Sequence, residues 1–189
     1  MRVVAGTAKG RHLKSPNSTK TRPIIDRVKT ALFDILADRV VDADVLDLFG
    51  GVGSVGIEAL SRGAHHATFV ELDSGIAEIL RENLRLTATL DRAEVIRGDA
   101  FRFLQTAAAA HRQFDLVYIA PPQYHQLAAQ AMRQLDAAPL TSPDGLIIVQ
   151  IDPRERLDVA TLSPLHFDLM DERKYGSTLL MFYEHRNEA

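Results

Sequence analysis

From residue 44 onward the chain alternates between short apolar runs and longer stretches whose apolar residues recur every three or four positions. The runs predict strands at VLDLF (45–49), HATFVEL (66–72), AEVIRG (93–98), FDLVYI (114–119), LIIVQI (146–151), HFDLMDE (166–172) and STLLMFYE (177–184). The helical spacing between them predicts helices near 54–62, 74–86, 100–110, 124–135 and 153–160. Upstream, PIIDRVKTALFDILADRV sets Ile25, Val28, Leu32, Ile35 and Leu36 on one helical face behind Pro23, a residue suited to a first turn. This predicts an amphipathic helix with a basic outer side.

Strand–helix alternation implies an α/β fold, a doubly wound parallel sheet with helices on both faces. The last two strands are joined by only RKYG, too short for a crossover helix, so they must pair antiparallel. The expected architecture is therefore a seven-stranded, mostly parallel sheet closed by an antiparallel terminal hairpin. The first residues read differently. RVVAG and RHLKSP flank TAKG as a small hairpin, and SPNSTKTR (15–22) is a turn-rich loop. The division expected is an arm at 1–22 and a main domain at 23–189.

Composition narrows the chemistry. With 189 residues, 46% of them hydrophobic, the chain can build one domain with a real core. It has no cysteine, which excludes disulfides, thiolate metal sites and cysteine nucleophiles. No apolar run is long enough to span a bilayer, and the basic N-terminus lacks the apolar centre of a signal peptide. A cytoplasmic monomer without membrane contact or bound metal is expected. Charge is uneven. Residues 1–29 hold eight basic side chains against Asp26, a net +7, while the whole chain is −3, leaving −10 for the rest. A basic arm on an acidic body suits a polyanionic partner; a merely solvated terminus is the plainer alternative.

The stretch VLDLFGGVGSVGIEALSRG poses the central question. Gly51-x-Gly53-x-x-Gly56 after a strand is the spacing of a dinucleotide loop. A pyrophosphate needs backbone N–H groups with no anion nearby, yet Asp47 stands just before the turn. S-adenosylmethionine carries no phosphate; its sulfonium and ammonium favour a carboxylate there. Glu71 ends the second strand, where an acid accepts from ribose hydroxyls, and Asp99 ends the third, within reach of an adenine amine. Strand-end acids are also common helix N-caps, which Asp73 and Asp99 could both be. An NAD-dependent oxidoreductase has only the glycine spacing in its favour. At the fourth strand end, Pro121-Pro122 fixes a turn with free carbonyls, flanked by Tyr118 and Tyr124. Carbonyls that accept from an exocyclic amine and a ring that stacks on a base would suit a nucleobase; a stiff loop with core tyrosines is the alternative.

Over nearly its whole length the chain resembles the RsmD family, bacterial 16S ribosomal RNA guanine-N2 methyltransferases. The resemblance rests on MRVVAGTAKGRHL, TRPIIDRVKTALFDIL, DLFGGVGSVGIEALSRGA, FVELD, GDA (98–100), the Pro-Pro turn and RKYGSTLLMFY. It implies a Rossmann-like class I methyltransferase fold with a short basic N-terminal β-hairpin. It also implies S-adenosylmethionine as donor and 16S rRNA, in the small ribosomal subunit or an assembly intermediate, as acceptor. The implied cofactor residues are Asp47, Phe49, Gly51 and Gly53 in the first loop, Glu71 and Leu72 after the second strand, and Asp99 and Ala100 after the third. The implied catalytic segment is Ala120, Pro121, Pro122 and Tyr124. Arg2, Lys9, Arg11, Arg22, Arg27 and Lys29 would hold RNA phosphates, with His12 and Lys14 beside them and Arg173, Lys174 and Tyr175 in the last turn as structural or RNA-touching residues.

One departure bears on catalysis. The family usually places an acidic or amide residue before Pro-Pro and an aromatic directly after it; here stand Ala120 and then Gln123-Tyr124. The missing side chain would orient the target amine. Either the Ala120 and Pro121 carbonyls suffice, with Tyr124 or Tyr118 stacking, or the target is different, or the chain is a weakly active or inactive RNA-binding assembly factor. The expected reaction is an in-line methyl transfer with no covalent enzyme intermediate.

Overall fold

The protein is described from a computed structural model, in which residues 1–16, 24–160, 162 and 166–186 are defined. It divides into two compact units, Met1–Ala100 and Phe101–Ala189.

In the first unit the arm forms a narrow antiparallel ladder. Arg2 bridges His12, Val3 N–H donates to Arg11 O at 2.9 Å, and Leu13 N–H donates to Met1 O at 3.0 Å. Helix α1 (Asp26–Leu36) follows, then a 3-10 turn at Ala37–Val40. The predicted helical run thus breaks at Ala37, whose φ of 45° leaves the helical region. Val28, Leu32 and Leu36 are buried as expected, but Ile25 and Ile35 are exposed and Lys29 and Phe33 take their place inside. Pro23, expected in the first turn, lies outside the described residues.

Strands β1 (Asp44–Asp47), β2 (His66–Glu71) and β3 (Ala93–Arg97) pair in parallel in the order β3-β2-β1. Helices α2 (Ser54–Ser61) and α3 (Ser74–Leu86) supply the crossovers. Leu46, Leu48, Ile57, Leu60, Phe69, Leu80 and Leu84 are fully buried and form the core between them. Helix α3 begins where Asp73 accepts from Ile76 N–H at 2.9 Å, an N-cap that fixes its first turn.

The second unit holds most of helix α4 (Ala100–Ala109), then β4 (Phe114–Ile119), α5 (Leu127–Ala137), β5 (Thr141–Ile151), a 3-10 turn at Pro153–Glu155, α6 (Arg156–Ala160), β6 (Phe167–Tyr175) and β7 (Thr178–His185). Its strand order is β4-β5-β7-β6, with β4 and β5 parallel and β7 antiparallel to both neighbours. The mostly parallel arrangement with an antiparallel terminal hairpin is therefore present.

Several boundaries differ from the sequence reading, two of them in the last strands. Strand β5 starts five residues early, because Thr141 pairs with Phe114 before an irregularity in register. Gly145 permits this: a Cβ there would lie 2.8 Å from Ser142 O. The hairpin turn is Gly176-Ser177, with φ of 61° at the glycine, so Arg173, Lys174 and Tyr175 belong to β6 and not to a turn. Among the described residues no helix is long and apolar enough to cross a membrane.

Candidate functional site

The glycine loop leaves β1 at Asp47 and enters α2 at Ser54. Gly51 and Gly53 adopt φ of 53° and 85°, which side-chain-bearing residues rarely tolerate. Gly50 N–H donates to Val70 O and Gly53 N–H to Gly50 O, both at 2.8 Å, so the turn is held by its own backbone and by β2. Gly56 is required by packing, since a Cβ there would stand 2.2 Å from the Phe69 ring. A Cβ on Gly51, by contrast, would meet nothing nearer than Phe49 O at 4.0 Å. That side of the loop is open to an approaching ligand. The Ser54 hydroxyl, at the first turn of α2, is buried without a hydrogen-bond partner.

Two carboxylates border this loop. Asp47 is buried, and its Oδ2 accepts from Gly56 N–H at 3.2 Å. Burial raises its pKa from 3.8 to about 7, against the Gly56 hydrogen bond and with a smaller push from Glu71. Among the described residues no lysine or arginine pairs with it. Glu71, half-buried, bridges the loop: Oε2 accepts from Gly51 N–H at 2.9 Å and Oε1 from Asp73 N–H at 2.8 Å. Leu72 beside it is 69% exposed, an apolar surface open at the strand tip. Asp99 is exposed and Ala100 buried where β3 gives way to α4; Phe49 is half-buried. A buried carboxylate with one backbone donor and no cation suits a positively charged ligand and repels a pyrophosphate. With the open face at Gly51, this donor and acceptor set fits S-adenosylmethionine.

The Pro-Pro segment lies in the second unit. Pro121 is buried; Pro122 and Tyr124 are exposed and Ala120 half-exposed. Tyr118 is not available for stacking: it is 4% exposed and its hydroxyl donates to Gln150 Oε1 at 2.6 Å, as an inward-facing strand residue does. Tyr124 is the exposed ring. Its φ of 67°, followed by 56° at Gln126, delays α5 to Leu127, three residues past the predicted start. Two buried acids hold it there. Tyr124 N–H donates to Glu155 Oε1 at 2.8 Å and its hydroxyl to Asp152 Oδ2 at 2.9 Å. The second oxygen of Glu155 is buried and unpartnered. The Arg154 guanidinium stands 5.7 Å from the ring centre. Sequence reasoning missed Asp152 and Glu155, because Asp152-x-x-Glu155 looks like an ordinary helix-capping box. Asp152 does cap, accepting from Arg154 N–H at 3.0 Å, but Glu155 turns to Tyr124 instead.

Of the arm cations, Arg2, Lys9, Arg11 and Arg27 are exposed, with His12 and Lys14 beside them. Arg2 pairs with Asp26 at 3.2 Å and Lys14 with Glu82 at 2.9 Å. Arg22 lies outside the described residues. Lys29 must be withdrawn as a phosphate contact. It is fully buried, with its ammonium 3.1 Å from Glu58 and donating to Arg2 O at 2.6 Å. Glu58, equally buried, also accepts from Val4 N–H at 2.8 Å, Ala5 N–H at 2.9 Å and Arg62 Nε at 2.9 Å. This cluster fastens the arm to α2 and leaves no charge free for RNA.

Comparison with known proteins matches this geometry to a family. The family model described as Conserved hypothetical protein 95 covers residues 1–184. The ribosomal RNA small subunit methyltransferase D of Haemophilus influenzae is 37% identical over 186 residues, covering 97% of this chain and 93% of that protein. The protein of the same name from Escherichia coli K12 is 32% identical over 184 residues, covering 97% and 89%. Among solved structures, a hypothetical protein of Thermus thermophilus superposes with a TM-score of 0.82 at 34% identity, covering 97% of this chain and 99% of that one. An RNA methyltransferase from Salinibacter ruber, in complex with S-adenosyl-L-homocysteine, superposes at 0.68 with 18% identity, covering 89% and 96%. The fold is thus the Rossmann-like class I methyltransferase fold.

Proposed function

Because the chain belongs to the RsmD family of ribosomal RNA methyltransferases, we propose that it methylates the exocyclic N2 of one guanine in 16S rRNA. The chain is an S-adenosylmethionine-dependent rRNA methyltransferase. The finer reading is that the guanine is presented in the small ribosomal subunit or an assembly intermediate, to a cytoplasmic monomer. The observation that carries the cofactor assignment is Asp47, buried beside an open glycine turn with one backbone donor and no basic partner among the described residues.

S-adenosylmethionine supplies a methyl group made electrophilic by its positive sulfur. Asp47 would face the cationic end of that molecule. Glu71, whose carboxylate has acceptor capacity beyond the two loop N–H groups it already holds, would take the ribose hydroxyls. Leu72, Asp99 and Ala100 would receive the adenine, with Phe49, Gly51 and Gly53 shaping the loop. On the acceptor side the guanine amine is a poor nucleophile, since its lone pair is delocalised into the ring. The chain's contribution is alignment: the Ala120 and Pro121 carbonyls accept from the amine while the Tyr124 ring stacks on the base. When bound, S-adenosylmethionine would supply its methyl group to the N2 nitrogen held at the Ala120 and Pro121 carbonyls; S-adenosylhomocysteine would leave with the carbon–sulfur electron pair, and the proton lost from N2 would pass to solvent. Residues 1–22 would form the RNA-holding arm, with Arg2, Lys9, Arg11, Arg22 and Arg27 on phosphates.

Tritiated methyl transfer into small subunits from a strain lacking the corresponding modification, followed by nucleotide mapping, tests the reading. One methyl per subunit on a single guanine N2 is expected. Ala120 favours one second reading, an assembly factor that binds RNA without turnover. RNA binding with no incorporation would establish it. The substitution Ala120→Asp sharpens the choice: it restores the amine acceptor and should raise kcat at least about tenfold, within the range of a positioned acceptor. An unchanged kcat would show that the backbone carbonyls already suffice.

A further inference from the structure

Asn83, on α3, joins the arm to the cofactor loop. It is fully buried, and its amide is used on both sides. Oδ1 accepts from Lys14 N–H at 2.7 Å, and Nδ2 donates to Lys14 O at 3.0 Å and to Val52 O at 2.9 Å. The orientation is fixed by its partners: a backbone N–H demands the oxygen and two carbonyls demand the nitrogen. Lys14 directly follows Leu13, whose N–H makes the last bond of the arm ladder, to Met1 O. Val52 sits between Gly51 and Gly53, the two left-handed glycines of the loop. One side chain therefore pins the end of the arm and the centre of the cofactor turn.

A second set of contacts ties the same two regions together. Helix α2, which the loop opens, holds the start of the arm through Glu58 and Ser61. Ser61 Oγ donates to Ala5 O at 2.6 Å and accepts from Ala8 N–H at 2.9 Å, and Thr7 N–H donates to Ser61 O at 2.8 Å. The arm cannot shift in register without stranding buried donors and acceptors on α2 and α3. Its docked position and the shape of the glycine turn are consequently one cooperative arrangement.

We propose that Asn83 is a positioning residue that couples RNA binding on the arm to cofactor binding on the glycine loop. The inference rests on the reading that the arm holds RNA. Phosphate contacts that fix the docked arm also fix Lys14 against Asn83, and through it the Val52 carbonyl. Each ligand then favours the arrangement the other requires, and linkage makes the effect reciprocal. Aspartate could not replace Asn83, because it would set an anion against the Lys14 and Val52 carbonyls.

The test is the dissociation constant of S-adenosylhomocysteine, measured by calorimetry with and without saturating small-subunit RNA. In the wild-type chain RNA should tighten that constant by about tenfold, inside the usual range for coupled sites. Asn83→Asp should bring the ratio below about twofold. Lys14→Pro removes the N–H that Asn83 accepts and leaves the Val52 contact, so it should do the same without altering the buried amide. Lys14→Ala keeps that N–H and removes the charged side chain together with its exposed Glu82 pair; it should weaken RNA binding yet preserve the ratio. If wild-type protein binds both ligands with a ratio of one, or if Lys14→Pro retains the full ratio, the coupling is overturned and the arm reading survives. Failure of the wild-type chain to bind RNA at all would instead overturn the arm reading, and this inference with it.

Discussion

Glu58 and Asp47 are buried carboxylates eleven residues apart, and they do opposite work. Glu58 receives two backbone N–H groups, a guanidinium and an ammonium, so its charge is answered from every side. Asp47 receives one backbone N–H and no cation among the described residues. The first is a structural rivet that the chain completes by itself. The second is left under-compensated at the tip of a strand, beside glycines that open the backbone, which is where a cationic ligand would complete it. Compensation, and not burial, separates the residue that builds the fold from the residue that waits for chemistry.

The sharpest way to break this contrast is to remove the completed charge. Glu58→Ala leaves the Lys29 ammonium buried without its carboxylate and releases two arm N–H groups. The expected loss is about 3–5 kcal/mol of unfolding free energy, the cost of stranding one member of a buried pair. Urea titration measures it, and a loss below about 1 kcal/mol, the scale of an exposed pair, would mean that Lys29 reaches solvent. Gly56→Ala attacks the loop's packing instead of its charge. Its methyl would enter the Phe69 ring at 2.2 Å, so helix and strand must part, at about 1–3 kcal/mol. A neutral result would show that α2 slides freely over β2.

Asp47 is probed by pH. Burial holds its carboxyl at about 7, against 3.8 in the unfolded chain, so the folded protein keeps a proton that the unfolded chain has already lost. Above about pH 4 the group therefore costs stability increasingly as pH rises, until it ionises in the fold near 7. A cationic ligand reverses the preference. Affinity for S-adenosylmethionine should be nearly flat above about pH 8 and fall by about tenfold for each pH unit below the shifted value, as the carboxylate takes up its proton. Asp47→Asn should flatten that slope. A profile that stays steep in the variant would assign the titration to another group.

The same contrast explains what was readable in the sequence. Helix α3 and strand β4 were legible to the residue, because their apolar spacing is unambiguous and Asp73 caps the helix. The glycine loop was legible as a strand-to-helix turn, since its left-handed glycines follow directly on an apolar run. Lys29 was not, although it stands three and seven residues before Leu32 and Leu36, on the inward face. Counting charge hid what the helical period already placed inside. Tyr118 went astray for the reverse reason: it alternates inward on a buried parallel strand, yet its neighbour Pro121 drew it into a supposed base site. Asn83 and Glu155 depend on partners 31 or more residues away, and Glu58 on arm N–H groups 53 and 54 residues away, and no local pattern announces such contacts.

The smallest expected effect tests whether the acceptor segment belongs with Glu58 or with Asp47. Tyr124 is held by a hydroxyl bond to buried Asp152 and a backbone bond to Glu155, while its ring stays 55% exposed. The Asp152 contact also raises the phenol's pKa, which keeps the hydroxyl a neutral donor. Tyr124→Phe retains the ring and the backbone bond and deletes only that donor. Asp152 keeps its Arg154 contacts, so the stability loss should be small, that of one solvent-exposed hydrogen bond. If the segment is a rivet like Glu58, turnover will be untouched once the variant is folded. If the two acids hold the ring for a substrate base, KM for RNA will stay near the wild-type value and kcat will fall several-fold, with Tyr124→Leu losing far more. Equal kcat in all three proteins would remove Tyr124 from the acceptor site and leave the Pro-Pro turn as scaffold.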